Sequence, residues 1–214
     1  MSKLIATLTR EGYRSDIIEE DDGRVHFKGD ADTDGDGGYR TYHPISSKGL
    51  DDLSNAHTGN DWYGCVTVNG EPVVQGPDDP APGFYVSATS LHLPNEDGTP
   101  RAKTDPRKYV DSEKVKFIVV PPQIIHKTTG KVVLGCKARV TRISTGKVID
   151  AVVADSGPST KDGELSIAAA LALGVISHPT ARVGCDDVDF LYELWPGVPA
   201  VVDGVTYPLQ GSNA

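Results

Sequence analysis

Apolar residues in this chain come in short runs broken by turn residues, and not in helical stripes. Val115-Lys-Phe-Ile-Val-Val120 is closed by Pro121-Pro122, which cannot extend a β-ladder, so the run predicts a strand that stops there. Val132–Leu134, Cys136–Arg142 and Val148–Ala154 predict further strands, separated by turns at Thr129-Gly130 and Thr145-Gly146. Phe190–Leu194 and Val198–Val205 predict two more, with a turn at Asp203-Gly204. Only Ser166-Ile-Ala-Ala-Ala-Leu-Ala-Leu-Gly174 reads as a helix, with Ser166 as N-cap and Gly174 as C-cap. It is apolar nearly all round, which predicts burial.

The N-terminal half is harder to read. Strand signals around Leu4–Leu8 and Val25–Phe27 are weak, and residues 72–107 are rich in Pro, Asp and Gly, with one strand-like run at Phe84-Tyr-Val-Ser-Ala-Thr. The expectation is one catalytic domain over residues 1–214. Within it, a loop-rich part (1–107) carries an acidic motif and a barrel core (108–210) carries the catalytic segment. Several strands around one short buried helix predict a mainly β fold, a small barrel with long irregular loops.

Composition narrows the chemistry. With 214 residues, 23 Gly, 15 Pro and a hydrophobic fraction of 38%, a helical bundle is disfavoured. Thirty acidic against 21 basic residues give a formal charge of −9, which repels phosphate backbones and attracts cationic ligands, besides aiding solubility. No nucleic-acid partner is expected. Three scattered cysteines, Cys65, Cys136 and Cys185, allow at most one disulfide and form no Cys-x-x-Cys zinc pair. The first residues lack the apolar core of a signal peptide, and no apolar run reaches membrane-spanning length. A soluble monomer with no membrane partner and no cofactor is expected.

The chemistry concentrates in one stretch. Val-Val-Ala-Asp155-Ser-Gly-Pro158 delivers an acid at a strand end, and Gly163-Glu164-Leu-Ser166 places a second acid nine positions later, just ahead of the buried helix. Two carboxyl groups in unlike surroundings are what glycosidic cleavage needs: one to protonate the departing oxygen, one to act from the other side. Desolvation beside the apolar helix would raise the pKa of Glu164, while the helix dipole would lower it. Acids at such places are also common caps and turn formers, so the spacing alone leaves both readings open.

The Asp155-Ser-Gly-Pro158 turn, the Gly163-Glu164-Leu-Ser166 helix start and the closing Leu173-Gly174 resemble the signature region of the glycoside hydrolase family 75 chitosanases. Phe117-Ile-Val-Val-Pro121 resembles that family's proline-ended strand. Asp30-Ala-Asp32-Thr-Asp34-Gly-Asp36 resembles its acidic N-terminal motif, although a cysteine common in the family is replaced here by Gly35. The same turn and helix start are similar to rare lipoprotein A and expansin domains, which are six-stranded double-psi β-barrels. The resemblance implies that fold and endo-acting, inverting hydrolysis of β-1,4 glucosamine linkages, with Glu164 as general acid and Asp155 as general base. Their carboxyl groups should then stand about 6.5–9.5 Å apart. It also implies action outside cells, after secretion or lysis.

Chitosan carries ammonium groups, so carboxylates backed by aromatic rings should line its cleft. Asp30, Asp32, Asp34 and Asp36, followed by Tyr39, meet that requirement. The run also opens like an EF-hand, but the twelfth position holds Thr41 where a calcium loop wants Glu, so no metal is expected. The histidines show no metal-ligand spacing, and no Gly-x-Ser-x-Gly elbow is present. The competing readings are a peptidoglycan-cleaving enzyme and a non-catalytic carbohydrate-binding barrel.

Overall fold

A computed structural model of the chain describes residues 2–10 and 13–210. Three strands open the chain: β1 (Lys3–Arg10), β2 (Tyr13–Glu19) and β3 (Val25–Asp34). Short hairpins follow, β4 (His57–Thr58) with β5 (Asp61–Trp62) and β6 (Thr67–Val68) with β7 (Glu71–Pro72). Then come β8 (Phe117–Val120), α1 (Pro122–Lys127), β9 (Cys136–Arg142), β10 (Lys147–Ser156), β11 (Glu164–Ser166), α2 (Ile167–Leu173), β12 (Cys185–Val202) and β13 (Val205–Tyr207).

Six strands close on themselves in the order β3-β11-β8-β10-β9-β12, with β12 returning to pair with β3. The sheet is mixed: β10 runs parallel to β8 and β11 parallel to β3, while β11 runs antiparallel to β8. The fold is thus mainly β, a closed six-stranded mixed barrel answering the double-psi description. The β1–β2 hairpin extends it beyond β3, and β13 folds back on β12 at the turn expected at Asp203-Gly204. Inside, Phe27 stacks on Tyr192 with ring centroids 4.8 Å apart, and Phe117, Ile118, Leu165 and Phe190 are fully buried.

Several elements depart from expectation. The barrel core is not confined to residues 108–210, because β3 supplies its sixth strand; the run 25–34 hides its strand character behind acids that face a cleft. Phe84–Thr89 makes only isolated bridges, Tyr85 to Val74 and Ser87 to Cys65. Val132–Leu134 likewise yields a single bridge, Leu134 to Gln210. The two strands expected at 190–205 are one long β12, whose register shifts between Trp195 and Pro199, so the Pro-Gly pair bends the strand without ending it. Pro122 starts the unexpected α1, a position where its missing N–H costs nothing. The three cysteines are all free thiols. Among the described residues no helix is long and apolar enough to cross a membrane.

The caps read from sequence hold. Gly174 takes φ 72° and closes α2 by donating to Ala170 and Leu171. Ser166 Oγ accepts from Ala169 N at 3.1 Å, but it also accepts from Phe117 N (3.0 Å) and donates to Val115 O (2.8 Å). One buried hydroxyl therefore caps α2 and ties the end of β11 to the start of β8. Ser166→Ala removes the cap and orphans a buried Phe117 N–H, so urea denaturation should show a loss of about 2–4 kcal/mol.

Candidate active site

The two acids of the signature stretch are set by their ladder partners. Val119 of β8 pairs with Asp155 of β10 on one side and with Glu164 of β11 on the other; Glu164 in turn pairs with Asp32 of β3. Asp32, Glu164, Val119 and Asp155 thus form one row across four strands. With neighbouring strands about 4.8 Å apart, the Asp155 and Glu164 backbones stand roughly 10 Å apart across Val119. All four residues line one open cleft of about 720 Å³.

The row depends on a bulge. Val152 and Val153 pair with Phe117 and Ile118, but the register then skips Ala154, and Asp155 pairs with Val119. The extra residue re-aims the strand end and puts the acid, not the alanine, opposite Val119. The Ala154 carbonyl is taken by Leu91 N at 2.8 Å.

The turn after β10 leaves room for Glu164. A Cβ on Gly157 would lie 2.7 Å from Glu164 Oε2, so a side chain there would push the carboxylate aside. Gly163 takes φ 80°, and a Cβ on it would lie 2.1 Å from Asp30 Oδ1. Gly157 is therefore a spatial requirement of Glu164, and Gly163 one of the buried Asp30.

Asp155 is 9% exposed, and its Oδ1 accepts from Ser90 N (3.1 Å), Ser90 Oγ and Ser156 N (2.7 Å). Burial nonetheless wins over these donors and raises its pKa from 3.8 to about 6, with Glu164 adding repulsion. All three donors converge on Oδ1, which leaves Oδ2 as the oxygen to take up a proton.

Asp34 and Asp36 come from the end of β3 and the turn beyond it, where Asp36 N donates to Asp34 Oδ1 at 2.8 Å. One carboxylate oxygen from each of Asp34, Asp36 and Asp155 lies within 4.8 Å of the other two, close enough to share protons or a hard cation. Burial first, then Glu164 for Asp34 and Asp34 for Asp36, pushes both pKa values well up. Tyr42 Oη donates to Asp36 (2.9 Å) and reaches Asp51 (3.3 Å), whose pKa burial also raises.

Of the residues expected from sequence, the structure brings Asp32, Asp34, Asp36, Asp155 and Glu164 together, and it leaves out two. Asp30 is 3% exposed, with the Gly163 backbone packed against its carboxylate, and does not line the cleft. The loop before β11 covers it. Tyr39 also lies off the cleft, its ring under the Lys114 ammonium at 4.8 Å. In its place stands Tyr63, 60% exposed on the cleft wall. Sequence reasoning missed Tyr63, Asp51 and Ser90, which all lie in the irregular stretch between β3 and β8, and the cations Lys161 and Arg182. Asp155-Ser-Gly-Pro was a readable signal; an isolated tyrosine in an irregular loop carries none.

No protein-family model matches the chain, and no curated protein matches it significantly.

The raised pKa of Asp155 has a consequence for stability. A carboxyl that holds its proton more tightly folded than unfolded stabilises the fold below about pH 3.8, and that contribution is lost as pH rises through about 6. Asp155→Asn should therefore raise the melting temperature more at pH 8 than at pH 4, the difference amounting to at most about 3 kcal/mol. An equal effect at both pH values would mean that Asp155 is not held protonated by burial.

Proposed function

We propose that the chain is an endo-acting chitosanase that hydrolyses β-1,4 glucosamine linkages by inversion, with Asp155 and Glu164 as the catalytic carboxyl pair. The observation that carries the reading is their shared ladder partner, Val119, which the two acids flank while both line one cleft. A backbone separation of roughly 10 Å is compatible with the carboxyl spacing of about 6.5–9.5 Å that inversion requires.

The substrate class follows from the walls. Asp34, Asp36 and Asp51 crowd the cleft beside the pair, and a bound ammonium would relieve their mutual repulsion. Tyr63 offers a stacking face for a pyranose ring. This wall favours a cationic glycan over peptidoglycan, and the paired acids argue against a mere binding module.

The motif likeness assigns the donor role to Glu164 and the base role to Asp155. The resting electrostatics favour the exchange: Asp155 keeps a proton to about pH 6, while Glu164 Oε1 lies 2.5 Å from the Lys161 ammonium. Asp155 then protonates the leaving oxygen and Glu164 activates water.

Purified protein should release reducing ends from chitosan, and Glu164→Gln or Asp155→Asn should slow release by roughly a hundred- to ten-thousand-fold. Full activity in either variant removes that residue from the mechanism. With Asp155 as donor, kcat/KM should fall as pH rises above about 6; a rise through that pH would return the donor role to Glu164.

A further inference from the structure

The charges in the cleft are divided unevenly. Lys161, on the loop between β10 and β11, places Nζ 2.5 Å from Glu164 Oε1 and 3.1 Å from Asp32 Oδ2. Although burial works against its charge, Glu164 and Asp32 hold the ammonium above the ordinary lysine pKa. The other cation, Arg182, is committed elsewhere: its guanidinium contacts Asp52 and donates to the carbonyls of Ser46 (2.8 Å) and Asp51 (2.9 Å). One half of the cleft, Asp32 with Glu164, therefore already holds an ammonium. The other half, Asp34, Asp36 and Asp155, holds no comparable cation contact among the described residues.

An alkylammonium gripped by two carboxylates is the contact that the amine of a glucosamine unit would itself make. A tethered group competes at the high effective concentration of an intramolecular partner, so a polymer amine arriving from solution cannot readily displace it. We infer that Lys161 is a specificity-determining residue: its ammonium fills the amine position between Asp32 and Glu164, so an uncharged, acetylated nitrogen is preferred over an ammonium on the sugar unit seated there. The unit over Asp34, Asp36 and Asp155 carries the free ammonium. This rests on the glycan-hydrolase reading of the cleft, and it predicts a cut-site pattern that the charge of the cleft as a whole would not.

The test is the composition of the cut site. Partially acetylated chitosan is digested with the unaltered protein, Lys161→Met and Lys161→Arg, and the new ends are sequenced by mass spectrometry. The unaltered protein and Lys161→Arg should enrich N-acetylglucosamine on one side of the cut. Lys161→Met should shift that side toward glucosamine by about tenfold, the worth of one partly screened charge contact. Identical end composition for the unaltered protein and Lys161→Met overturns the inference while leaving the chitosanase reading intact.

A second measurement needs no turnover. In an Asp155→Asn background, calorimetric titration with glucosamine hexasaccharide should show about tenfold tighter binding when Lys161→Met is added, with no gain from Lys161→Arg. Binding of N-acetylglucosamine hexasaccharide should not tighten. Equal gains for both sugars, or none for either, would contradict the role given to Lys161. Absence of any chitosan cleavage by the unaltered protein would count against the proposed function instead.

Discussion

Everything in the site depends on one ladder position, Val119, hydrogen-bonded between two strands that each bring an acid to it. β8 is a short, fully buried strand, so neither of its neighbours can slide by a residue without turning its apolar set out of the core. That burial converts a packing requirement into a chemical one. If the hydrophobic core is in register, Asp155 and Glu164 flank the same residue, Val119, from either side. The bulge at Ala154 supplies the remaining adjustment, and Ser166 locks the end of β11 to the start of β8.

The electrostatics of the cleft follow from the same arrangement. Three acids delivered by β3 and its following turn meet two more from β10 and β11 in one groove, where burial and the neighbouring carboxylates raise the cost of ionising Asp34, Asp36 and Asp155. The fold accepts that cost. Asp155 and Asp36 keep hydrogen-bond donors from Ser90, Ser156 and Tyr42, and Lys161 balances Asp32 and Glu164. The proposed glycan substrate would bring positive charge to this groove. A division between a neutralised and an acidic half would give such a ligand a direction.

Much of this was legible in the sequence. Pro121-Pro122 ended β8 as read, the Cys136–Arg142 and Val148–Ala154 runs became β9 and β10, and Ser166 and Gly174 cap α2. These features are local, and local propensity and turn chemistry determine them. What escaped reading was set by tertiary partners. The strand character of residues 28–34 is masked by acids, since a cleft-facing strand need not alternate with apolar residues. The bulge at Ala154 exists only relative to β8. Tyr39 is near the acidic run in sequence but is turned under Lys114, while Tyr63, distant in sequence, reaches the cleft through an irregular loop.

The most direct test of the account is a crystal structure of the Glu164→Gln variant with a partially acetylated chitosan oligosaccharide. The account predicts a glycosidic oxygen between residues 155 and 164, above Val119, with a sugar ammonium against Asp34 and Asp36. An oligosaccharide bound elsewhere on the surface, or side chains of 155 and 164 facing away from a common groove, would contradict it.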